Sequence, residues 1–441
     1  MAKGYIRTEM SPDMPPPVTE TGVIGWIMKN LFSSWTSGIL TVFGVYIIYL
    51  VVPAVSEFAF VNAIWSGDSG EACRHVQNGG LVPEGQPIGA CWPYIGAYFD
   101  QFIYGRYPVE DRWRVDISMI VGVLLLVPLL MPTLPYKLEN AFLLLVVYPV
   151  MVLILLTGGN ISIGSGGWGT LVALMIFSGG FVVFQAKTTG SITIASGLKV
   201  VAALGAGLAI IYLALSFNWG LEPVETSQWG GLLVTLVVAV TGIVASFPIG
   251  IILALGRRSE MPVTRLICVI FIEFWRGVPL ITVLFMSSVM LPLFLPEGVQ
   301  FDKLLRVLIG VALFSAAYMA ETVRGGLQAI VKGQYEGAMA LGLSFWQMMG
   351  LIVLPQALKL VIPGIVNSFI SLFKDTTLVL IVGLFDLLGM VQSSFTNPHW
   401  SSPVTSYTGY MFAASVFWIF CFSMSRYSIF MENLLYRGHK R

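Results

Sequence analysis

Charge is scarce in this chain of 441 residues, where Asp, Glu, Lys and Arg make up 11% and hydrophobic residues 56%. A soluble domain holds about a quarter charged residues, so a mean hydropathy of +0.83 excludes one and indicates a polytopic membrane protein. The net charge of +1 removes the electrostatic case for nucleic acid. Histidine and cysteine number three and four, and no C-x-x-C or H-E-x-x-H spacing occurs, which leaves no metal site to propose. The phosphate-cradling G-x-x-x-x-G-K-[ST] loop and the G-x-S-x-G turn are missing too, so neither ATP hydrolysis nor serine-hydrolase chemistry is encoded here. The chain is expected to be no enzyme and to hold no cofactor of its own. An ATP-driven process would draw its energy from another subunit.

What the chain does have is long apolar runs. A bilayer core takes roughly 20 apolar residues in a helix, and about ten segments meet that rule: 38–56, 116–133, 139–157, 168–186, 199–217, 229–255, 266–291, 303–322, 357–391 and 408–430. The fold expected is all-α, with about ten transmembrane helices. Lys and Arg fix the orientation. With the amino terminus inside, the inner segments hold Lys3, Arg7 and Lys29, then Lys137, Lys187, Lys199, Arg257, Arg258 and Arg265. Arg324, Lys332 and Lys359 fall on the same side, as do Arg437, Lys440 and Arg441, so both termini are expected in the cytoplasm.

Ahead of the first run, Pro12 and Pro15 to Pro17 mark a flexible tail. Ile24, Ile27, Leu31 and Trp35 recur at spacings of three and four, which fits either an interfacial amphipathic helix or the start of the first span. The polar segment near 57–115 falls outside in this topology. It holds Cys73 and Cys91, the two cysteines that are not in apolar runs, and an oxidising compartment would favour a bridge between them. Cys268 and Cys421 are read as packing residues.

Charged groups interrupt the carboxyl-terminal spans as Glu273 with Arg276, Glu321 with Arg324, Lys374 with Asp375, and Asp386. A charge inside a span costs at least a few kcal/mol, so it pairs, faces the bundle interior or binds something. Glu and Arg at i, i+3 can satisfy one another, which is the structural alternative to ligand binding. The segment 357–391 is too long for one straight span and is expected to tilt or break at Lys374–Thr377.

Between two apolar segments lies QYEGAMALGLSFWQMMGLIVLP, 334–355. Small residues here let a short helix lie close against another surface, Gly342 permits the turn that ends it, and Pro355 suits the first turn of the next helix. The fixed points Glu336, Gly337, Ala338, Gly342, Ile352, Leu354 and Pro355 resemble the EAA loop of ABC importer permeases, with Gly337 in place of the first Ala.

From Trp229 onward the resemblance is to membrane subunits of polar amino acid ABC importers. It rests on GGLLVTL at 230–236, FPIGIILALGRRS at 247–259, EFWRGVPLITVLF at 273–285, AETVRGGLQAIVKGQYEGAMALGLS at 320–344 and LPQALKLVIPGIVNSFISLFKDTTL at 354–378. PYIGAYFDQFIYGRYPVEDRWR at 93–114 is similar to the longer permease subunit of general L-amino acid or glutamate/glutamine/aspartate/asparagine importers. The resemblance implies residues 1–37 as tail and interfacial helix, 38–217 as an amino-terminal extension, and 218–441 as a type I permease core of five spans. It also implies a second, homologous permease subunit, two ATP-binding subunits that bind ATP and Mg, and a periplasmic amino-acid-binding protein, all at a bacterial inner membrane.

In that setting Arg276 and Arg324 are candidates for the substrate carboxylate, since a guanidinium binds it bidentately. Glu321 and Asp375 are candidates for its ammonium, with Asn367, Ser371 and Thr376 adding neutral hydrogen bonds, and Arg276, Glu321 and Asp375 are expected to line one cavity. Glu336, Gly337, Ala338 and Gly342 are candidates for coupling to the ATPase. The competing class is a secondary amino acid transporter driven by an ion gradient, which would show internal repeats; the two halves differ in motif, charge and loop length.

Overall fold

A computed structural model describes residues 22–160, 165–189, 194–294 and 301–436. The proline-rich tail and Arg437, Lys440 and Arg441 lie outside the described residues. Among the described residues the secondary structure is helical, with only isolated β-bridges between loops.

Chain order gives a short helix α1 (Gly22–Asn30), then α2 (Trp35–Ser56), α3 (Trp92–Tyr104) and α4 (Arg112–Leu130). There follow α5 (Lys137–Thr157), α6 (Ser165–Thr189), α7 (Ile194–Ser216), α8 (Gly231–Arg257), α9 (Pro262–Gly277) and α10 (Leu280–Phe294). The remaining helices are α11 (Lys303–Ala329), α12 (Lys332–Ala340), α13 (Phe345–Val382), α14 (Leu387–Ser394) and α15 (Thr405–Tyr436). Eight described helices are long and apolar enough to cross a membrane, and the bent pair α9–α10 makes a ninth. Helix α6 holds a shorter apolar stretch, Gly167–Gly180, so each segment read from the sequence falls on a helix.

The alternatives at the amino terminus are separated by a cap. Helix α1 stops at Asn30, and Ser34 takes an extended conformation and accepts a hydrogen bond from Ser37 N to start α2 afresh. The interfacial-type helix and the first span are therefore distinct elements.

Two of the long runs differ from the sequence reading. The segment 266–291 is not one straight helix but turns by 104° between α9 and α10. Val278 is extended at φ −111°, ψ 134°, as a residue preceding proline must be, and Pro279 then opens α10. The segment 357–391, conversely, does not break at Lys374–Thr377. Its α-helical winding tightens to 3-10 at Thr376, runs to Val382, and stops at Gly383 with φ +74°. That run also begins earlier than expected, at Phe345, under a capping box between Ser344 and Gln347. Pro355 sits in the first turn of the α-helical stretch Leu354–Asp375, as the sequence suggests, within the longer helical run. It follows a π-helical turn, Met349–Val353, whose wider winding accommodates the missing N–H and the ring of the proline.

The described residues form two compact units, those within 1–94 and 398–408, and those within 95–397 and 409–441. In the first, Cys73 and Cys91 are joined as a disulfide with Cα atoms 5.9 Å apart. The polar insert around it packs on the distant segment 398–408. Arg74 donates to the carbonyls of Ser401 and Pro398, Gly70 N donates to His399 O, and Cys91 N donates to Thr408 Oγ1 at 3.0 Å.

In the second unit α8, α11 and α13 form the centre. Small residues let them cross closely: a Cβ on Gly250 would stand 2.6 Å from Met319 Cγ, and one on Gly326 would stand 2.6 Å from Ala357 O. Tyr107, Val115 and Leu156 share one buried cluster with Leu233, Val307 and Leu372, so packing does not divide at residue 217.

The fully buried Asp386 links α8 to α14. It caps α14 by accepting from Leu388 N and Gly389 N at 3.3 and 2.9 Å, while Leu387 N donates to Thr235 Oγ1. Burial pushes its carboxyl up to about 6, against those two backbone donors. A raised folded-state value means that the folded chain holds the proton more tightly than the unfolded one. Its contribution is therefore most favourable below about pH 4 and is lost as pH rises to about 6. Asp386→Asn, which keeps a capping oxygen, should flatten that window and melt no lower than the native chain at pH 8. Asp386→Ala should lose about 1 kcal/mol of capping. Melting of the detergent-solubilised complex across pH 4–8 measures both, and equal pH profiles for the native and Asn forms would contradict the assignment.

Candidate functional site

The ends of three helices bring five charged side chains together. Arg257 closes α8, Glu273 and Arg276 lie on the last turns of α9, and Glu321 and Arg324 lie one turn apart on α11. Glu321 is the hub. Arg257 Nη1 reaches its Oε1 at 2.6 Å, and Arg324 grips its Oε2 through Nε at 2.9 Å and Nη2 at 2.7 Å. Arg257 also pairs with Glu273 at 2.9 Å.

Arg276 is held more loosely. Its Nη1 stands 3.8 Å from Glu321 Oε1, its guanidinium lies 5.7 Å from the Tyr318 ring, and its side chain is 35% exposed against 16% for Glu321. Three cations thus share two carboxylates. Charge-assisted contacts of this kind offset the cost of charges within spans, and they leave Arg276 as the cation with coordination to spare.

The sequence-predicted residues of α13 are arranged differently. Asn367 and Ser371 are exposed, Thr376 is buried and donates to Phe373 O at 2.8 Å, and Asp375 is half-buried. Gly364 abuts Thr322, which sets the level of Glu321 against α13. Asp375 lies eleven residues further along, roughly 16 Å at helical rise. Arg276, Glu321 and Arg324 are therefore brought together, whereas Asp375 and Thr376 stand outside that cluster of ion pairs. Arg257 was missed as a cluster member. It sits 64 residues from Glu321, and its only signal in the sequence is a basic residue closing a span.

Polar faces extend from this cluster. Helix α13 exposes Gly364, Asn367, Ser371 and Lys374 at spacings of three and four, and α11 exposes Tyr318, Gly325 and Gln328 with Glu321 and Arg324 partly open. Both helices bury their opposite faces through Val311, Ala320 and Val323 of α11 and Ala357, Ile365 and Leu372 of α13.

The loop 334–355 folds into α12 and the start of α13. Gly342, at φ +72°, ends α12 in a Schellman turn, with Gly342 N donating to Met339 O and Leu343 N to Ala338 O. Ala338 is buried, while Glu336, Gly337 and Gly342 are exposed beside Met339 and Leu341. Two ties anchor this helix to the spans. Arg258 Nη1 donates to Leu327 O at 2.8 Å and to Tyr335 Oη at 3.1 Å, and Gln356 Nε2 donates to Gln334 Oε1 at 3.0 Å.

Residues 246–429, from α8 to α15, match the binding-protein-dependent transport system inner membrane component family. Over 427 residues the chain is 43% identical to the inner membrane amino-acid ABC transporter permease protein YhdY of Escherichia coli, covering 97% of each. Over 452 residues it is 42% identical to the glutamate/glutamine/aspartate/asparagine transport system permease protein BztC of Rhodobacter capsulatus, covering 99% of each. A solved amino acid ABC transporter with histidines is 27% identical, with a TM-score of 0.40 over 46% of this chain and 91% of that one. The chain belongs to the amino-acid ABC transporter permease family. It is a membrane-embedded permease subunit of an ABC importer, in which separate ATP-binding subunits hydrolyse ATP and a substrate-binding protein serves the complex.

Proposed function

We propose that this subunit moves polar L-amino acids inward by alternating access, and that the substrate passes along the polar faces of α11 and α13. The observation that carries this reading is those faces themselves. In a single chain they lie open at membrane depth, where polar groups are costly unless they line a cavity or meet a partner. A second, homologous permease subunit would close them into a path, and two ATP-binding subunits holding ATP and Mg would drive it. On this reading 218–441 is the transporting core, 38–217 an extension, and both termini are cytoplasmic, in a bacterial inner membrane.

The geometry supports a distinct role for each of these side chains. Arg276 releases Glu321 and takes the substrate carboxylate, while Arg257 and Arg324 keep Glu321 ionised and in place until an ammonium approaches. Asn367 and Ser371 offer neutral hydrogen bonds along α13. Asp375 and Thr376, about 16 Å from the cluster by helical rise, act at another stage of passage and do not hold the same molecule at the same moment. Glu336, Gly337, Ala338 and Gly342 couple α12 to an ATP-binding subunit. A periplasmic amino-acid-binding protein delivers the substrate on the side of the Cys73–Cys91 insert.

Uptake of radiolabelled amino acids into proteoliposomes holding the complete complex tests this. Uptake should need both ATP and the binding protein and should fall by one to two orders of magnitude for Arg276→Gln, as the loss of a charge-assisted contact of about 1.5–3 kcal/mol implies. Uptake driven by an ion gradient without ATP would overturn it.

A further inference from the structure

Beside the charge cluster, α8, α9 and α11 enclose a cleft of about 480 Å³ lined by Arg257, Arg258, Arg265, Val269, Arg324 and Gln328. We propose that this cleft holds the phosphate of an anionic phospholipid. The proposal goes beyond the transport reading and rests on it only for placing this end of the spans at the cytoplasmic leaflet.

The charge in the cleft is not balanced. Arg257 and Arg324 share Glu321 and Glu273 with Arg276, which leaves one cation in excess. Arg258 donates to neutral oxygens only, those of Leu327 and Tyr335. The Arg265 side chain is exposed and has no hydrogen bond or ion pair among the described residues. Glu260, on the intervening loop, is exposed and makes no ion pair with either. Counting it, the group keeps two positive charges over its carboxylates. Planar guanidinium groups converging on one space suit the tetrahedral oxygens of a phosphate, and basic pockets between helices at the cytoplasmic face are suited to lipid headgroups.

A second feature selects a lipid over a free anion. Helix α9 carries Arg265 into the cleft, and the same helix exposes Val263, Leu266, Ile267, Ile270 and Phe274, each more than half open. Their spacings of three and four make one apolar stripe on the exposed side of the helix that carries Arg265. A headgroup among the arginines would lay its acyl chains on that stripe. Inorganic phosphate would use the first feature and leave the second without an occupant.

The test uses the assembled transporter in neutral detergent, titrated with dioleoylphosphatidylglycerol or dioleoylphosphatidylcholine and read by native mass spectrometry. Phosphatidylglycerol should be retained in preference, and Arg265→Gln should weaken that retention about fivefold, the effect of one arginine near a membrane surface. Arg265→Glu should weaken it further, and because Arg265 is exposed and unpaired both variants should assemble and hydrolyse ATP as the native complex does. Equal retention by native and variant complexes overturns the proposal. So does arginine-dependent binding of inorganic phosphate that the lipid fails to displace, which would assign the cleft to a soluble anion. Retention by the permease only when the ATP-binding subunits are absent would overturn it as well, because the cleft would then be their docking surface.

Discussion

Glu321→Gln should cost the complex both transport and stability. The substitution removes one negative charge and leaves Arg257, Arg276 and Arg324 facing one another across the space that the carboxylate had filled. Losing one partner of a buried pair costs about 3–5 kcal/mol, and with Glu321 16% exposed solvent reduces this to about 2–3 kcal/mol. The informative comparison is the double variant with Arg324→Gln. Removing the excess cation should restore part of the stability, because the repulsion has gone, and none of the transport, because the carboxylate has gone too. Thermal melting of the solubilised complex and ATP-dependent uptake measure the two effects separately. Native behaviour of Glu321→Gln in both would show that the cluster neither supports the fold nor lies on the path.

An effect of similar size, but on a different readout, is expected at Gly342. Its φ of +72° lies where a β-branched side chain costs about 1–2 kcal/mol or more, so Gly342→Val should unwind the Schellman turn and re-aim α12. The spans α11 and α13 hold their own packing through Gly326 and Ala357, so the protein should still insert. Glu336→Lys makes the same test without backbone strain, since Glu336 is exposed. Both variants should lose the co-purifying ATP-binding subunits, or retain them with binding-protein-stimulated hydrolysis reduced at least about tenfold, the equivalent of 1.4 kcal/mol. Normal association and normal stimulation would remove α12 from the coupling route.

Much of this architecture is legible in the residue order because bilayers impose a length and a polarity on each span. The turn at Gly342 and the end of α9 near Gly277 and Pro279 are local backbone chemistry, and they stand where Gly and Pro stand. The 104° bend that follows could not be read from the hydrophobic run 266–291, because hydropathy records composition and not direction. The start of α13 was obscured in a similar way. A capping box at Ser344 and a π-turn around Met349–Val353 keep the chain helical from Phe345, well ahead of the apolar run from 357 that hydropathy marks.

The site was half legible. Glu321 and Arg324 are neighbours on one helix and announce each other through their i, i+3 spacing. Arg257 joins them only because α8 and α11 pack along small residues, a tertiary fact with no local signature. Asp375 shows the converse limit, since a charge in an apolar run carries no signal of its distance from the other charges, and helical rise sets it about 16 Å from the level of Glu321.

The insert around Cys73 and Cys91 has a consequence for the order in which the protein is made. The carbonyl acceptors of Arg74 come 324 and 327 residues later in the chain, and Thr408, which receives Cys91 N, comes 317 residues later. At about 5–20 residues per second, the ribosome supplies those groups roughly 15–60 s after the insert has emerged. During that interval the insert has its covalent bridge as its main restraint, and its polar backbone groups face water in place of their final partners. Completion of its surface is therefore a late event in biogenesis, and a nascent chain stopped before Pro398 would expose this segment to proteases that the finished protein resists.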